Sequence, residues 1–273
     1  MKIGVLVLFH RHTDINAEFI KIRAMDMNCC QLCCWEPDLY TAENAKQIID
    51  AAAETGVEIT ALWAGWTGPK EWNFYGGPVT LGLVPSAYRS QRVKELLAAS
   101  DFARMIDITD IITHVGFLPE NPCDPDFQGA VTALRLLANE LKDKGQYFLF
   151  ETGQETPITM LRTIEEIGTM NLGINFDTAN LLLYGKANPA DALDIFGKYV
   201  RNTHFKDGEY PVCGRVLGKE KPLGQGRADI PLIIRKLRIL GYTGPLIIER
   251  EISGSEQDND IVMARDLLRS LLA

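Results

Sequence analysis

Residues 147–180 read YFLFETGQETPITMLRTIEEIGTMNLGINFDTAN. The stretch opens on an apolar run, Tyr147–Glu151, that ends in a carboxylate. Pro157 then stands where a helix starts and Gly168 where it stops. Proline fits the first helical turn, and glycine takes the left-handed conformation just past the last one. A second apolar run, Gly173–Phe176, follows and ends at Asp177. Both runs are near-continuous rather than alternating, as parallel strands covered on two faces require. The segment reads as strand–helix–strand.

The same alternation extends to both ends of the chain. Strand-like runs are expected at Lys2–Phe9, Asn28–Cys34, Glu58–Trp63, Ile111–Val115, Tyr147–Glu151, Gly173–Phe176, Val200–Lys206 and Pro245–Glu249. Helical patterns are expected at Asn16–Met25, Ala42–Thr55, Pro85–Asp107, Pro125–Lys144, Thr156–Ile167, Pro189–Lys198, Ile230–Leu240 and Asp258–Leu272. Eight of each in 273 residues predict an α/β protein, a single (β/α)8 TIM barrel over residues 1–273. The competing arrangement is an open doubly wound sheet, but no G-x-G-x-x-G follows the first strand.

A net charge of −8 disfavours nucleic-acid binding and a polybasic membrane contact. No apolar run approaches the ~20 residues of a membrane span. The start, MKIGVLVLFHRHTD, has too short an apolar stretch for a signal peptide and no small-residue cleavage site, so a cytoplasmic location is expected. Four of the six cysteines fall in CCQLCC, residues 29–34. A Cys-x-x-Cys pair can hold zinc or run redox chemistry. With no second pair and no histidine pair at finger spacing, these cysteines read as small apolar residues of a strand.

Barrel active sites lie at the C-terminal ends of the strands. Read in order, those ends carry His10, Trp35 with Glu36, Trp63, His114, Glu151, Asp177, His204 with Lys206 and Asp207, and Glu249 with Glu251. Glu151, Asp177, His204 and Glu249 stand out, because each closes an apolar run on one of four consecutive strands. The alternative is a set of separate helix caps and salt bridges. Three converging carboxylates repel one another unless a cation joins them. Oxygen donors with one imidazole suit Mn2+, Mg2+ or Co2+ better than a thiolate-rich zinc site does.

The series LFETG, GINFDTAN, NTHFKD, PLGQGRADI and PLIIERE resembles the sugar phosphate isomerase/epimerase family. Its members share a xylose isomerase-like barrel and include ketose 3-epimerases, inosose dehydratases and hydroxypyruvate isomerases. The resemblance implies one divalent ion, Mn2+ first among Mg2+, Co2+ and Zn2+, on Glu151, Asp177, His204 and Glu249. It implies that Glu151 and Glu249 are also an acid/base pair, moving a proton beside the carbonyl of a sugar or sugar phosphate through an enediolate. A dehydratase on the same site and a non-catalytic sugar or metal sensor are the alternatives. It also implies a dimer or tetramer.

The chain departs from the pattern in two places. Many sugar epimerases carry a histidine where Asn180 stands, and an arginine soon after the seventh-strand histidine, for which Arg215 is the nearest candidate. The related endonuclease IV holds three zinc ions, but only four histidines are present here: His10, His12, His114 and His204.

Substrate contacts are expected from His10, Trp35, Trp63, His114, Asn180, Lys206 and Arg215, with Trp66 as a further wall. His114 reads equally as a core histidine, and Lys206 as a partner of Asp207 or Glu251. The glycines of GQG, Gly224–Gly226, either cradle a phosphate or make a turn. The loop Ala64–Val84, with Trp66, Trp72, Phe74 and Tyr75, is either a lid or a segment packed on its own aromatics.

Overall fold

The computed structural model describes residues 1–273. Eight parallel strands close into a barrel in the order β1-β10-β7-β6-β5-β4-β3-β2. They are β1 (Ile3–Leu8), β2 (Cys29–Cys34), β3 (Glu58–Ala64), β4 (Asp110–Thr113), β5 (Tyr147–Glu151), β6 (Leu172–Asp177), β7 (Val200–Phe205) and β10 (Leu246–Ile248). Between the last two, β8 (Asp207–Gly208) and β9 (Glu220–Lys221) form a separate antiparallel hairpin. The helices are α1 (Ile15–Ala24), α2 (Ala42–Thr55), α3 (Gly77–Thr80), α4 (Ser86–Met105), α5 (Pro125–Asp143), α6 (Pro157–Ile167), α7 (Asn180–Leu183), α8 (Pro189–Phe196), α9 (Ile230–Ile239) and α10 (Ser255–Leu272). The expected closed barrel is therefore the observed fold.

Local chemistry sets the helix ends. Thr41, Thr156 and Asp229 cap α2, α6 and α9 by accepting a backbone N–H with their side chains. Gly56 and Gly168 end α2 and α6 in the left-handed conformation. Helix α5 buries Phe127, Val131, Leu134, Leu137 and Leu141 along one stripe. Each such burial contributes about 1.5–3 kcal/mol.

Period two along the strands divides the buried residues between two interiors. Cys30, Leu32 and Cys34 pack in the large cluster between barrel and helices. Cys33 belongs to a small cluster with Ala61, Trp63, Ile112 and Leu149. All four cysteines of CCQLCC are buried, unpaired thiols. Burial pushes Cys29 and Cys34 up to about 11, so both stay as neutral thiols. Other buried strand positions are polar: Gln31, Glu151, Asn175, Asn202 and His204 are all at most 1% exposed. A polar plug in a buried barrel must be hydrogen-bonded throughout, and this one is built around the candidate site.

Four short elements were not expected. The hairpin strands β8 and β9 hold two residues each, too short to carry any periodicity. Helices α3 and α7 are single turns inside loops. No helix is long and apolar enough to cross a membrane.

Candidate active site

Glu151 and Asp177 end β5 and β6, His204 lies near the end of β7, and Glu249 directly follows β10. Register fixes their heights, since Asp177 pairs with His204 across β6 and β7, and His204 with Ile247 across β7 and β10. One ligating atom from each of the four lies within 4.8 Å of the others, and all four residues are buried. His204 Nδ1 is 3.1 Å from Glu151 Oε1 and 3.1 Å from Glu249 Oε2. Asp177 Oδ1 accepts the N–H groups of Ala179 and Asn180 at 2.7 and 2.6 Å. Its Oδ2 is buried with no hydrogen-bond partner, and so is Glu249 Oε2. Orphaned buried carboxylate oxygens, close to an imidazole nitrogen, are donors that could hold a divalent cation.

The electrostatics agree. Burial pushes the Asp177 carboxyl well above its ordinary range, and the nearby Glu249 and Glu151 push the same way. For His204, burial favours the neutral ring, but the charges of Glu151 and Glu249 outweigh it and raise the imidazole to about 10. Glu249 is held below its ordinary value: burial opposes this, while Lys206 and His204 pull it down. Lys206 is 1% exposed, and its Nζ lies 3.6 Å from Glu249 Oε2 and 3.8 Å from Asp177 Oδ2. Cationic side chains thus crowd a site whose carboxylates call for positive charge.

Glu249 lines a cavity of about 650 Å3, together with Trp35, Trp63, Trp72, His114, Gln154 and Asn180 among others. The ring of Trp63 stands 5.0 Å from His204 and 5.5 Å from His114, and Trp72 stands 4.9 Å from His114. Burial lowers the His114 imidazole to about 4, so it is neutral near pH 7. Its Nδ1 is 3.1 Å from Gln154 Oε1. Gln154 Nε2 and Trp63 Nε1 are buried donors without partners.

His10, Arg215 and Trp66 are placed elsewhere, whereas Lys206 stays beside the site carboxylates. His10 is exposed: β1 stops at Leu8, and the His10 N–H turns to Thr13 Oγ1. Arg215 is exposed between the hairpin strands and does not line the cavity. Trp66 is fully buried behind Trp35, its indole donating to Thr113 Oγ1, and Trp72 takes the cavity position instead. Lys206 gives its ammonium to Glu251 Oε1 at 2.6 Å and to Asn180 Oδ1 at 3.2 Å.

The loop after β3 is tied down by α4. Arg92 is fully buried, stacks on Trp66 at 3.8 Å and donates to the carbonyls of Pro69, Thr80 and Gly82. Glu95 accepts the Thr67 N–H at 3.0 Å. This packing carries Trp72 to the cavity. Helix α4 gave no sign of it, because Arg92 and Glu95 look like surface residues in sequence.

The GQG turn has its own anion. Asp207 is fully buried, and its carboxylate accepts N–H groups from Gly208, Gly224, Gly226 and Ala228 at 2.8–3.0 Å. A Cβ on Gly226 would fall 2.2 Å from Asp207 Oδ1, and Gly224 holds φ +85°. The two glycines are there for this carboxylate, so the turn offers no phosphate cradle.

Residues 19–271 match the family model described as xylose isomerase-like TIM barrel. The crystal structure of a xylose isomerase domain protein from Planctomyces limnophilus is 33% identical, covers 99% of this chain and 98% of its own, and superposes with a TM-score of 0.91. The chain belongs to the xylose isomerase-like TIM barrel family. The apo 3-keto-D-glucoside 4-epimerase of E. coli is 16% identical over 99% of both chains, with a TM-score of 0.73. A Mycobacterium smegmatis xylose isomerase-like protein in complex with magnesium is 15% identical over 99% of this chain and 96% of its own, again with a TM-score of 0.73. The last two likenesses show the shared fold.

Proposed function

We propose that the protein is a divalent-metal-dependent sugar isomerase or epimerase that moves a proton beside a carbonyl. The observation that carries this reading is the position of Glu151 and Glu249, from β5 and β10, each 3.1 Å from the same His204 nitrogen. Two carboxylates meeting at one point, with Glu249 opening on the cavity, suit paired acid and base work. Glu151, Asp177, His204 and Glu249 would hold the ion, Mn2+ first. A bound cation would supply Lewis-acid polarisation of the substrate carbonyl.

The chain's own groups do the rest. One glutamate takes the proton from the carbon beside the carbonyl, leaving an enediolate of the substrate. The other returns a proton, to the opposite face in an epimerase. Trp35, Trp63 and Trp72 cover the C–H faces of the sugar and keep water out. The unpartnered donors, Gln154 Nε2 and Trp63 Nε1, receive substrate oxygens. The epimerase relative supports a keto-sugar substrate, and the magnesium-bound one supports a metal centre. With the GQG turn filled by Asp207, the preferred substrate is a sugar without phosphate at that turn.

Solvent-deuterium exchange followed by NMR tests the reading. Mg2+-loaded protein in D2O is mixed with a panel of free ketoses, keto-glycosides, inososes and ketose phosphates. Deuterium is expected beside the carbonyl of an unphosphorylated member. Exchange with none of them, despite a bound ion, would contradict the proposal. Loss of a hydroxyl with formation of an unsaturated product would make the enzyme a dehydratase.

A further inference from the structure

We propose that Gln31 is a positioning residue for His204: it keeps a proton on Nε2 and so makes Nδ1 the nitrogen offered to the cation. The inference rests on the metal-centre reading above. Gln31 is the one polar residue of CCQLCC and is fully buried. Its Oε1 lies 2.5 Å from His204 Nε2. Its Nε2 lies 3.2 Å from Asn175 Oδ1 and 3.3 Å from Asn202 Oδ1.

Amide oxygen and nitrogen are interchangeable in shape, so their orientation must come from groups of fixed polarity. Two such groups bound this network, and they give the same answer. At one end, the Glu151 carboxylate only accepts. The Asn175 atom that meets Glu151 Oε2 is therefore Nδ2, which turns Asn175 Oδ1 toward Gln31. At the other end, the Thr203 backbone N–H only donates. It meets Asn202 Oδ1 at 3.0 Å, so that atom is an oxygen. Gln31 thus faces two oxygens with one end, which must be its NH2 group. Its carbonyl end is left for His204, and the His204 nitrogen it meets must carry hydrogen.

When a cation displaces the proton that the two glutamates otherwise hold on Nδ1, a ring with hydrogen on Nε2 offers the cation its Nδ1 lone pair, on the atom 3.1 Å from both glutamates. The same network touches the ligand Glu151 through Asn175, so one amide system orients two ligands. Partners of this kind fix the tautomer and direction of a metal-binding histidine. The cysteines on either side explain the strand's packing, and Gln31 explains its contribution to the site.

The test is two-bond 1H–15N NMR of the histidine rings in the full-length protein titrated with Mg2+. His204 is identified by its absence in a His204→Asn sample. The expected result for the unmodified, Mg2+-loaded protein is a single tautomer with hydrogen on Nε2. Gln31→Met, similar in size but unable to accept, is expected to lose the single tautomer and to bind Mg2+ roughly 10–100-fold more weakly. Gln31→Glu, which keeps an acceptor for Nε2–H, is expected to retain it. A tautomer with hydrogen on Nδ1 in the loaded wild-type protein would overturn the proposal and leave the metal centre standing. Unchanged Mg2+ affinity in a folded Gln31→Met would also overturn it. No Mg2+ binding by the wild-type protein would overturn the metal centre and this inference together. Should Gln31→Met fail to fold, the wild-type tautomer still decides.

Discussion

Glu249→Gln is expected to fold, keep a metal ion and lose turnover. The substitution preserves shape and one oxygen donor but removes the basic carboxylate. Glu249 Oε2 is buried beside His204 Nδ1 and Lys206 Nζ, with no hydrogen bond of its own. An amide there cannot take a proton from carbon. General acid–base help of this kind is typically worth about 10²–10⁴-fold, and a loss of kcat in that range is expected. The comparison is made on the substrate found by deuterium exchange, with metal content and circular dichroism measured on the same preparation. Retained metal with lost exchange assigns the proton transfer to Glu249. Full activity would remove it from that role.

Asp207→Ala is expected to be strongly destabilising although it lies outside the candidate metal site. It strips the acceptor from four backbone N–H groups. Each buried donor left without a partner costs about 1–3 kcal/mol. Gly224 is exposed and Gly226 half-buried, so water recovers part of this, and a net loss of roughly 3–5 kcal/mol follows. In a protein of this size that is a fall of roughly 10 °C in Tm. Inorganic phosphate should then raise the Tm of the variant and leave the wild-type protein unmoved, because the vacated turn presents N–H groups to an anion. An unchanged Tm in Asp207→Ala would contradict the account of the GQG turn.

The barrel was legible because each strand is a short apolar run buried on both faces and each helix carries its own cap and stop. Boundaries shifted by only a residue or a few. The clearest consequence is at His10: β1 ends two residues before it, and the chain turns away from the cavity. The four candidate ligands were legible for a related reason. A charged residue closing an apolar run on a parallel strand has few places to point other than the site.

What periodicity could not supply was contact between distant segments. It gave no means of choosing between Trp66 and Trp72, since only the buried Arg92 and Glu95 on α4 decide how that loop lies. It showed the glycines of the GQG turn but not the internal carboxylate that takes the N–H groups of Gly224 and Gly226. Gln31 and Gln154 were visible as polar residues, one inside a buried strand and one three places after Glu151. Their partners, His204 and His114, come from the other side of the barrel or from the next strand, so their meaning appears only on folding.

The most direct test of the metal centre needs no substrate. Chelator-treated wild-type protein is titrated with Mn2+, and free and bound ion are separated by electron paramagnetic resonance. Saturation at one ion per chain is expected, with loss of that binding in Asp177→Ala. A folded wild-type protein that binds no divalent ion, or an Asp177→Ala variant that binds as well as wild type, would contradict it.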